Sequence, residues 1–444
     1  MAQTKVFTEQ TPLWRQLSKL APPVMLSLLI QSVYNIVDSF FVARHSEEGL
    51  TALSIIYPVQ LLMIALATGT GVGINILVAR LDGAGDVNSQ NDIIKSGLLL
   101  GFFNFLFFAV IGLLCIGSYF RVSSDQPLVQ EYGMQYAVYI LAFSLGMFME
   151  INCTKILQAK GNMLLPMYAQ IAGATINIVL NPLLIFGGLG IQPMGIKGSA
   201  IATVTGQWCA MLIVAAGIFR HCSLNGKLRI RSCILIYKTG LATIIMQSLY
   251  TLYIVGLNLI LKQFTENAVT VLGIYYKVQA FFFIPIMGLQ QVILPAISFN
   301  YGAKEYSRIS QTIKWSIGMS FIIALMGVVV FMTVPELLLG VFSREEAILE
   351  IGSHAFRVIS LGFIPAAFSM ILSVYFQGVD EGRLSIFLTV LRQVILLVPL
   401  AWLFHFRGLS FVWLTFPVTE IITALFCLGI YLKRNNIGRN MAGS

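Results

Sequence analysis

Gln31, Asn35 and Asp38 stand at i, i+4 and i+7 in an otherwise apolar run, with Tyr34 one turn before the aspartate. In a helix these positions share a face, so a polar stripe is directed at something other than lipid. A carboxylate there costs about 3 kcal/mol even on the most lenient scale for inserting charge into a membrane helix. It needs a partner, and a proton or small cation is a partner that can come and go. The chemistry suggested is reversible ion binding rather than bond making. Two more helical pairs could converge on it, since Asn177 with Asn181 and Ser199 with Thr203 are each spaced i, i+4.

The second half of the chain carries Lys277, Arg357, Arg392 and Glu420 well inside apolar runs. Opposite charges in lipid pair, so a charge network that locks neighbouring helices is expected. Gln31, Tyr34, Asn35, Gln247, Tyr250, Tyr276, Lys277 and Phe283 are the candidates for lining a cleft, where aromatic faces would attract flat organic cations. Catalysis finds no support. The six cysteines are scattered with no CxxC spacing, and the four histidines form no HxxH or HExxH pattern. No enzyme activity, metal or cofactor is expected.

The elements that must position these residues are set by composition. Hydrophobic residues make up 57% of the 444 and charged residues 11%, with a mean hydropathy of +0.83, whereas a soluble domain is about a quarter charged. The membrane is the solvent. A spanning helix needs roughly 20 apolar residues, and about twelve such segments follow one another, centred near 30, 66, 106, 143, 174, 208, 250, 284, 321, 361, 395 and 420. The polar stretch from Met1 to Trp14 leads into a run too long for a signal peptide, so a retained first span is expected.

An even number of spans puts both termini on one side. Of the 28 Lys and Arg, Arg44, Arg121, Lys197, Lys262, Arg344 and Arg407 fall on the opposite side, Lys277, Arg357 and Arg392 lie within spans, and the other nineteen share the side of the termini. Cytoplasmic loops retain positive charge, so both termini are expected in the cytoplasm. The net charge of +9 then answers to anionic lipid headgroups, with no nucleic acid involved.

The chain also repeats itself. Leu53–Gln60 (LSIIYPVQ) meets Leu272–Gln279 (LGIYYKVQ) with five identities in eight at an offset of 219 residues, and Gly83-Ala84 meets Gly302-Ala303 in the same register. Each repeat would hold six spans, giving an all-α integral membrane fold of two six-helix lobes related by a pseudo-two-fold axis along the membrane normal. The expected organisation is an N-terminal lobe over 1–220, a basic cytoplasmic linker over 221–237 and a C-terminal lobe over 238–444. The first helices join at an offset of 216, where Gln31-Ser32-Val33-Tyr34 meets Gln247-Ser248-Leu249-Tyr250, and this supplies a control, because Asp38 falls opposite Ile254. The ion site would belong to the first lobe alone.

Asn300-Tyr301-Gly302-Ala303 after a Pro295-containing helix resembles the "YNYGA" signature of multidrug and toxic compound extrusion proteins. Asn177-Ile178-Val179-Leu180-Asn181-Pro182 and Gly195–Thr203 (GIKGSAIAT) resemble that family's "NIxLDP … GxxGAAxAT" pattern, and Val37-Asp38, Arg392-Gln393 and Trp413 also fit. The resemblance spans nearly the whole chain and is closest to the bacterial multidrug-export branch. It implies a secondary transporter that exchanges amphipathic organic cations or drugs for H+ or Na+ by alternating access of two lobes. Asp38 would be the coupling carboxylate, with Asn177, Asn181 and Thr203 around it. One departure is that Asn181 stands where the pattern has Asp, which removes an acid from the site and tilts coupling toward protons. The rival reading is a flippase of lipid-linked oligosaccharides from the same superfamily, favoured by Arg357 and Arg392, and a more distant one is a membrane enzyme acting on lipid. The expected setting is the inner (plasma) membrane of a bacterium, the expected partners are small-molecule cargo and membrane lipid, and the expected state is a monomer.

Overall fold

The computed structural model describes residues 12–188 and 190–442, without the side chains of Thr251 and of 435–442. Lys5 and the Arg439 side chain, both counted in the charge bias, lie outside the described residues. The chain is helical almost throughout: α1 (Leu13–His45), α2 (Glu47–Gly83), α3 (Val87–Ser123), α4 (Pro127–Ala142), α5 (Leu145–Ala159), α6 (Leu164–Phe186), α7 (Ile196–His221), α8 (Ile230–Leu261), α9 (Glu266–Gly302), α10 (Tyr306–Thr333), α11 (Pro335–Gly340), α12 (Glu346–Ser360), α13 (Phe363–Gly378), α14 (Gly382–Val390), a π-helical stretch Leu391–Leu397, α15 (Val398–His405) and α16 (Leu409–Ala442). Among the described residues ten helical segments are long and apolar enough to cross a membrane, and two bent pairs bring the number to twelve.

The bent pairs are α4 with α5, at 45°, and α12 with α13, at 49°. The first breaks at Phe143 and Ser144, where the freed Phe143 carbonyl accepts from Trp208 Nε1 at 3.0 Å. The second breaks at Leu361 and Gly362. Pro365 follows one turn later and has no N–H for the Leu361 carbonyl. Gly362 is the residue that the 219-residue offset pairs with Phe143. The duplication therefore copies a break as well as a helix order.

Two compact units make up the chain. The first comprises Pro22–Ile244 and Ser298–Lys304, and the second Thr11–Ala21, Ile245–Ile297 and Glu305–Ser444, with Met1–Gln10 outside the described residues. The division therefore cuts α1 just before Pro22-Pro23 and cuts α8 and α9 internally, rather than falling in the linker expected over 221–237. The reason lies in the backbone. A Cβ at Gly240 would meet the Gly69 carbonyl oxygen at 2.0 Å, and one at Gly73 would meet that of Ile236 at 2.2 Å. The first half of α8 is thus in backbone contact with α2. Tyr237 Oη donates to Asn104 Oδ1, and Asn104 Nδ2 to Thr70 Oγ1 at 3.0 Å, so α3 joins the same seam. The linker itself is tied to the start of α3, with the Lys227 amide donating to Asp92 Oδ1 at 2.6 Å and Arg229 Nε 3.0 Å from Asp92 Oδ2.

The end of α9 belongs to the first unit for a similar reason. A Cβ at Gly302 would meet the Arg80 carbonyl oxygen at 2.0 Å, and one at Gly83 that of Phe299 at 2.0 Å. Small residues that let backbones touch are a common basis for helix association in lipid, where no hydrophobic drive operates between helices. In the second unit aromatic side chains fill the interior, with Phe331 stacked on Phe356 at 4.9 Å and edge-on to Phe363 at 5.0 Å. Gly302→Val should push α9 from α2 and lower the midpoint of thermal unfolding in detergent by several degrees. The same change at Gly318, where an added Cβ meets nothing within 4 Å, should leave it within a degree or two.

Candidate ion-binding site

The site in the first unit is built by two glycine contacts on either side of a polar patch. On α6 and α7, a Cβ at Gly173 would meet the Gly206 carbonyl oxygen at 2.7 Å, and one at Gly206 that of Gly173 at 2.6 Å. Farther along, a Cβ at Gly198 would meet the Leu184 carbonyl oxygen at 2.6 Å. Between these contacts the pairs Asn177, Asn181 and Ser199, Thr203 face each other, and all four side chains are buried. Asn177 Nδ2 donates to Thr203 Oγ1 at 3.1 Å, and Asn181 Nδ2 reaches Asn177 Oδ1 at 3.4 Å.

Asp38 on α1 completes the cluster and is only 9% exposed. Its Oδ1 accepts from Asn181 Nδ2 at 2.6 Å and from Ser199 Oγ at 2.9 Å. Oδ2 makes no hydrogen bond among the described residues. Two donors on one oxygen stabilise the carboxylate while leaving lone pairs for an exchangeable proton or cation. Asn181 turns its amide nitrogen toward the acid, and its Oδ1 is buried without a partner among the described residues. Tyr34 and Tyr136 lie within electrostatic range of Asp38, and Gln60 Nε2 approaches Tyr136 Oη at 3.5 Å.

Asp38, Asn177, Asn181 and Thr203 thus come together, and Tyr34 lies beside them. Gln31 and Asn35 do not join the cluster. Both are exposed, because the expected stripe reaches α6 and α7 only at its Asp38 end. Tyr136 was not among the candidate site residues, whereas Ser199 was read with Thr203 as a face that could converge on Asp38. Ser199 carried a signal in its i, i+4 spacing to Thr203, whereas Tyr136 on α4 had none.

In the second unit the expected four-member charge network reduces to one pair. Arg392 Nε and Nη2 lie 2.7 and 2.6 Å from Glu420 Oε1. Arg357 is half-exposed and sits 3.9 Å from Glu336 instead, because α11 brings that carboxylate to the same end of α12. Lys277 is exposed and lies 5.9 Å from the centre of the Phe342 ring. Tyr250 and Tyr276 do meet, at 6.4 Å between ring centres, with Tyr253 as the third member of the group. Gln247 is exposed, and Phe283 is buried edge-on against Phe363 at 5.2 Å.

A family model described as MatE matches this chain twice, over residues 23–183 and 242–403. The chain belongs to the MatE family, the multidrug and toxic compound extrusion transporters. The two matches begin 219 residues apart, the offset at which the sequence repeats. Among curated relatives, a protein named FAD transporter from Shewanella oneidensis is 24% identical over 429 residues, covering 94% of each chain. The protein named multidrug export protein MepA from Staphylococcus aureus is 24% identical over 97% of this chain and 96% of its own. Among solved structures, a MATE protein in a bent conformation has a TM-score of 0.92 at 24% identity over the full length of both chains. A transporter from Pyrococcus furiosus, reported with a binding pocket of reversed polarity, has 0.89 at 24%, covering 98% of both. This MatE-family chain is accordingly a multi-pass membrane transporter and not an enzyme.

If Asn181 holds the carboxylate, Asn181→Leu removes one donor from a buried charge. That loss should cost about 1.5–3 kcal/mol of stability at pH 8 and much less where Asp38 is protonated. Thermal unfolding of both proteins at pH 5 and pH 8 checks it. The deficit should be larger at pH 8.

Proposed function

We propose that this MatE transporter exports amphipathic organic cations or drugs by antiport with protons, with Asp38 as the exchanging group. The observation that carries the reading is the single buried carboxylate in the α1–α6–α7 cluster, held by Asn181 and Ser199 on one oxygen with the other left unbonded. Proton uptake at Oδ2 would neutralise the charge without dismantling the hydrogen bonds, and proton release would restore it. A bare metal cation needs several oxygen ligands at once. Asn181 presents nitrogen to the acid, an arrangement that favours a proton over Na+. Multidrug names among the relatives support a drug-like cargo. The flippase reading loses support because Arg392 is matched by Glu420 and Arg357 lies near Glu336, so neither stands free for a lipid-linked phosphate.

We place both termini in the cytoplasm of a bacterial cell, on the charge asymmetry of the loops, and take the transporter to act as a monomer in the plasma membrane. Cysteine introduced at the exposed Asn225 of a variant whose six native cysteines are replaced should then react with a membrane-impermeant maleimide in inverted vesicles and not in intact cells. Labelling in intact cells would reverse the orientation.

Transport is tested in proteoliposomes loaded with ethidium, with pH and Na+ gradients imposed separately. A pH jump should drive ethidium movement in the native protein, and Asp38→Asn, which keeps the shape of the site, should abolish it while binding and thermal unfolding survive. Movement driven by Na+ alone would give Asn177, Asn181 and Thr203 the role of ligands instead.

A further inference from the structure

The second unit contains a cavity that the ion-exchange reading does not use. It lies between α9, the break joining α12 to α13, the π-helical stretch and α16, and offers about 40 Å³ of water-accessible space. Roughly 10–15 Å³ suffices for one water, so it takes a small group and not a whole drug. Among the described residues, three buried polar atoms on its lining have no hydrogen-bond partner: Glu420 Oε2, Gln393 Oε1 and Tyr276 Oη, the last beside the Tyr253 phenol.

The carboxylate geometry explains why. Arginine commonly binds a carboxylate fork to fork, using both oxygens, yet here Nε and Nη2 of Arg392 both converge on Oε1. Oε2 is left over. Arg392 and Gln393 are consecutive residues of the π-helical stretch Leu391–Leu397, and both line the cavity with Glu420. Such wide turns occur frequently at functional sites. The orphaned set comprises two acceptors and a phenol, walled by aromatic rings that attract positive charge.

These observations select the ligand. Two acceptors call for a group that brings its own N–H donors, and the aromatic walls call for a cation. Metal ions are disfavoured, because three oxygens are too few to replace a hydration shell. A quaternary ammonium has no N–H and is too bulky. We propose that this cavity is a second, separate site that binds a primary or secondary ammonium group, accepted by Glu420 Oε2 and Gln393 Oε1 with Tyr276 alongside. As a seat for the head group of the cargo it rests on the export reading. As an ammonium site it stands without it.

The probe is radiolabelled methylammonium, measured by scintillation proximity on the full chain in nanodiscs. All proteins carry Asp38→Asn, so that the first unit's carboxylate cannot contribute and a failure of proton coupling leaves the result intact. Saturable binding is expected. Gln393→Leu, which leaves the Arg392–Glu420 pair whole, should weaken it by about tenfold or more, as loss of a hydrogen bond to a charged group does. Tyr276→Phe should weaken it less, Glu420→Gln should abolish it, and tetramethylammonium should not compete. Because Glu420→Gln strands a buried arginine and can fail to fold, Gln393→Leu with an unchanged unfolding midpoint is the deciding variant. Absence of saturable binding, binding indifferent to Gln393→Leu, or equal competition by tetramethylammonium would each overturn the proposal.

Discussion

One buried carboxylate, Asp38, sets the terms for the α1–α6–α7 cluster of the first unit. Asp38 can exist inside an apolar bundle only if donors reach it, and those donors sit on two other helices, Asn181 on α6 and Ser199 on α7. Short amide and hydroxyl side chains span little distance, so α6 and α7 must run almost in backbone contact. That requirement accounts for glycine at 173, 198 and 206, where any Cβ would collide with a carbonyl of the facing helix or its flank. The polar chemistry and the steric minimum are therefore two sides of one constraint. Side chains larger at the glycines would separate the helices, and longer polar groups at 181 and 199 would cost rotamer entropy to order.

Much of this was legible in the sequence because helical periodicity survives translation into three dimensions. Asn177 with Asn181 and Ser199 with Thr203 were readable as faces, and both faces turn toward Asp38. The duplication was readable as well, down to the offset at which the family model matches twice. What failed involved partners chosen across the fold. Arg357 was expected to share one charge network with Lys277, Arg392 and Glu420, but a charge near a helix end can leave the bundle for a nearer carboxylate, and Glu336 supplies one. Gln31 and Asn35 share a face with Asp38, yet a shared face says nothing about how far along the helix its neighbours extend. The compact units divide inside α8 and α9, where contacts between glycine backbones carry no side-chain signal, whereas the linker expected over 221–237 was read from its polarity.

Asp38 and Glu420, one in each unit, are held in different ways. In the first, a carboxylate is held by neutral donors, so its charge remains uncompensated by any side-chain cation within the cluster. In the second, Glu420 is matched by Arg392 and the pair is formally neutral. An unpaired acid in lipid is a group whose state depends on what arrives, whereas a matched pair resists change and preserves shape. The repeat at 254, where Ile replaces the acid, follows this division.

The meeting of Gly83 with the α9 end and of Gly302 with the α2 end has a consequence for how the two copies can diverge. These glycines are duplicates of each other, and each abuts the backbone that the other's helix provides. Most duplicated positions age independently, as Asp38 and Ile254 have done, since a change in one copy is not felt at the other. Here the copies are each other's environment. Enlarging either one wedges the same seam, and no change in its twin can relieve the collision, because glycine has nothing left to remove. The seam is a place where the ancestral half-protein still constrains both of its descendants at once.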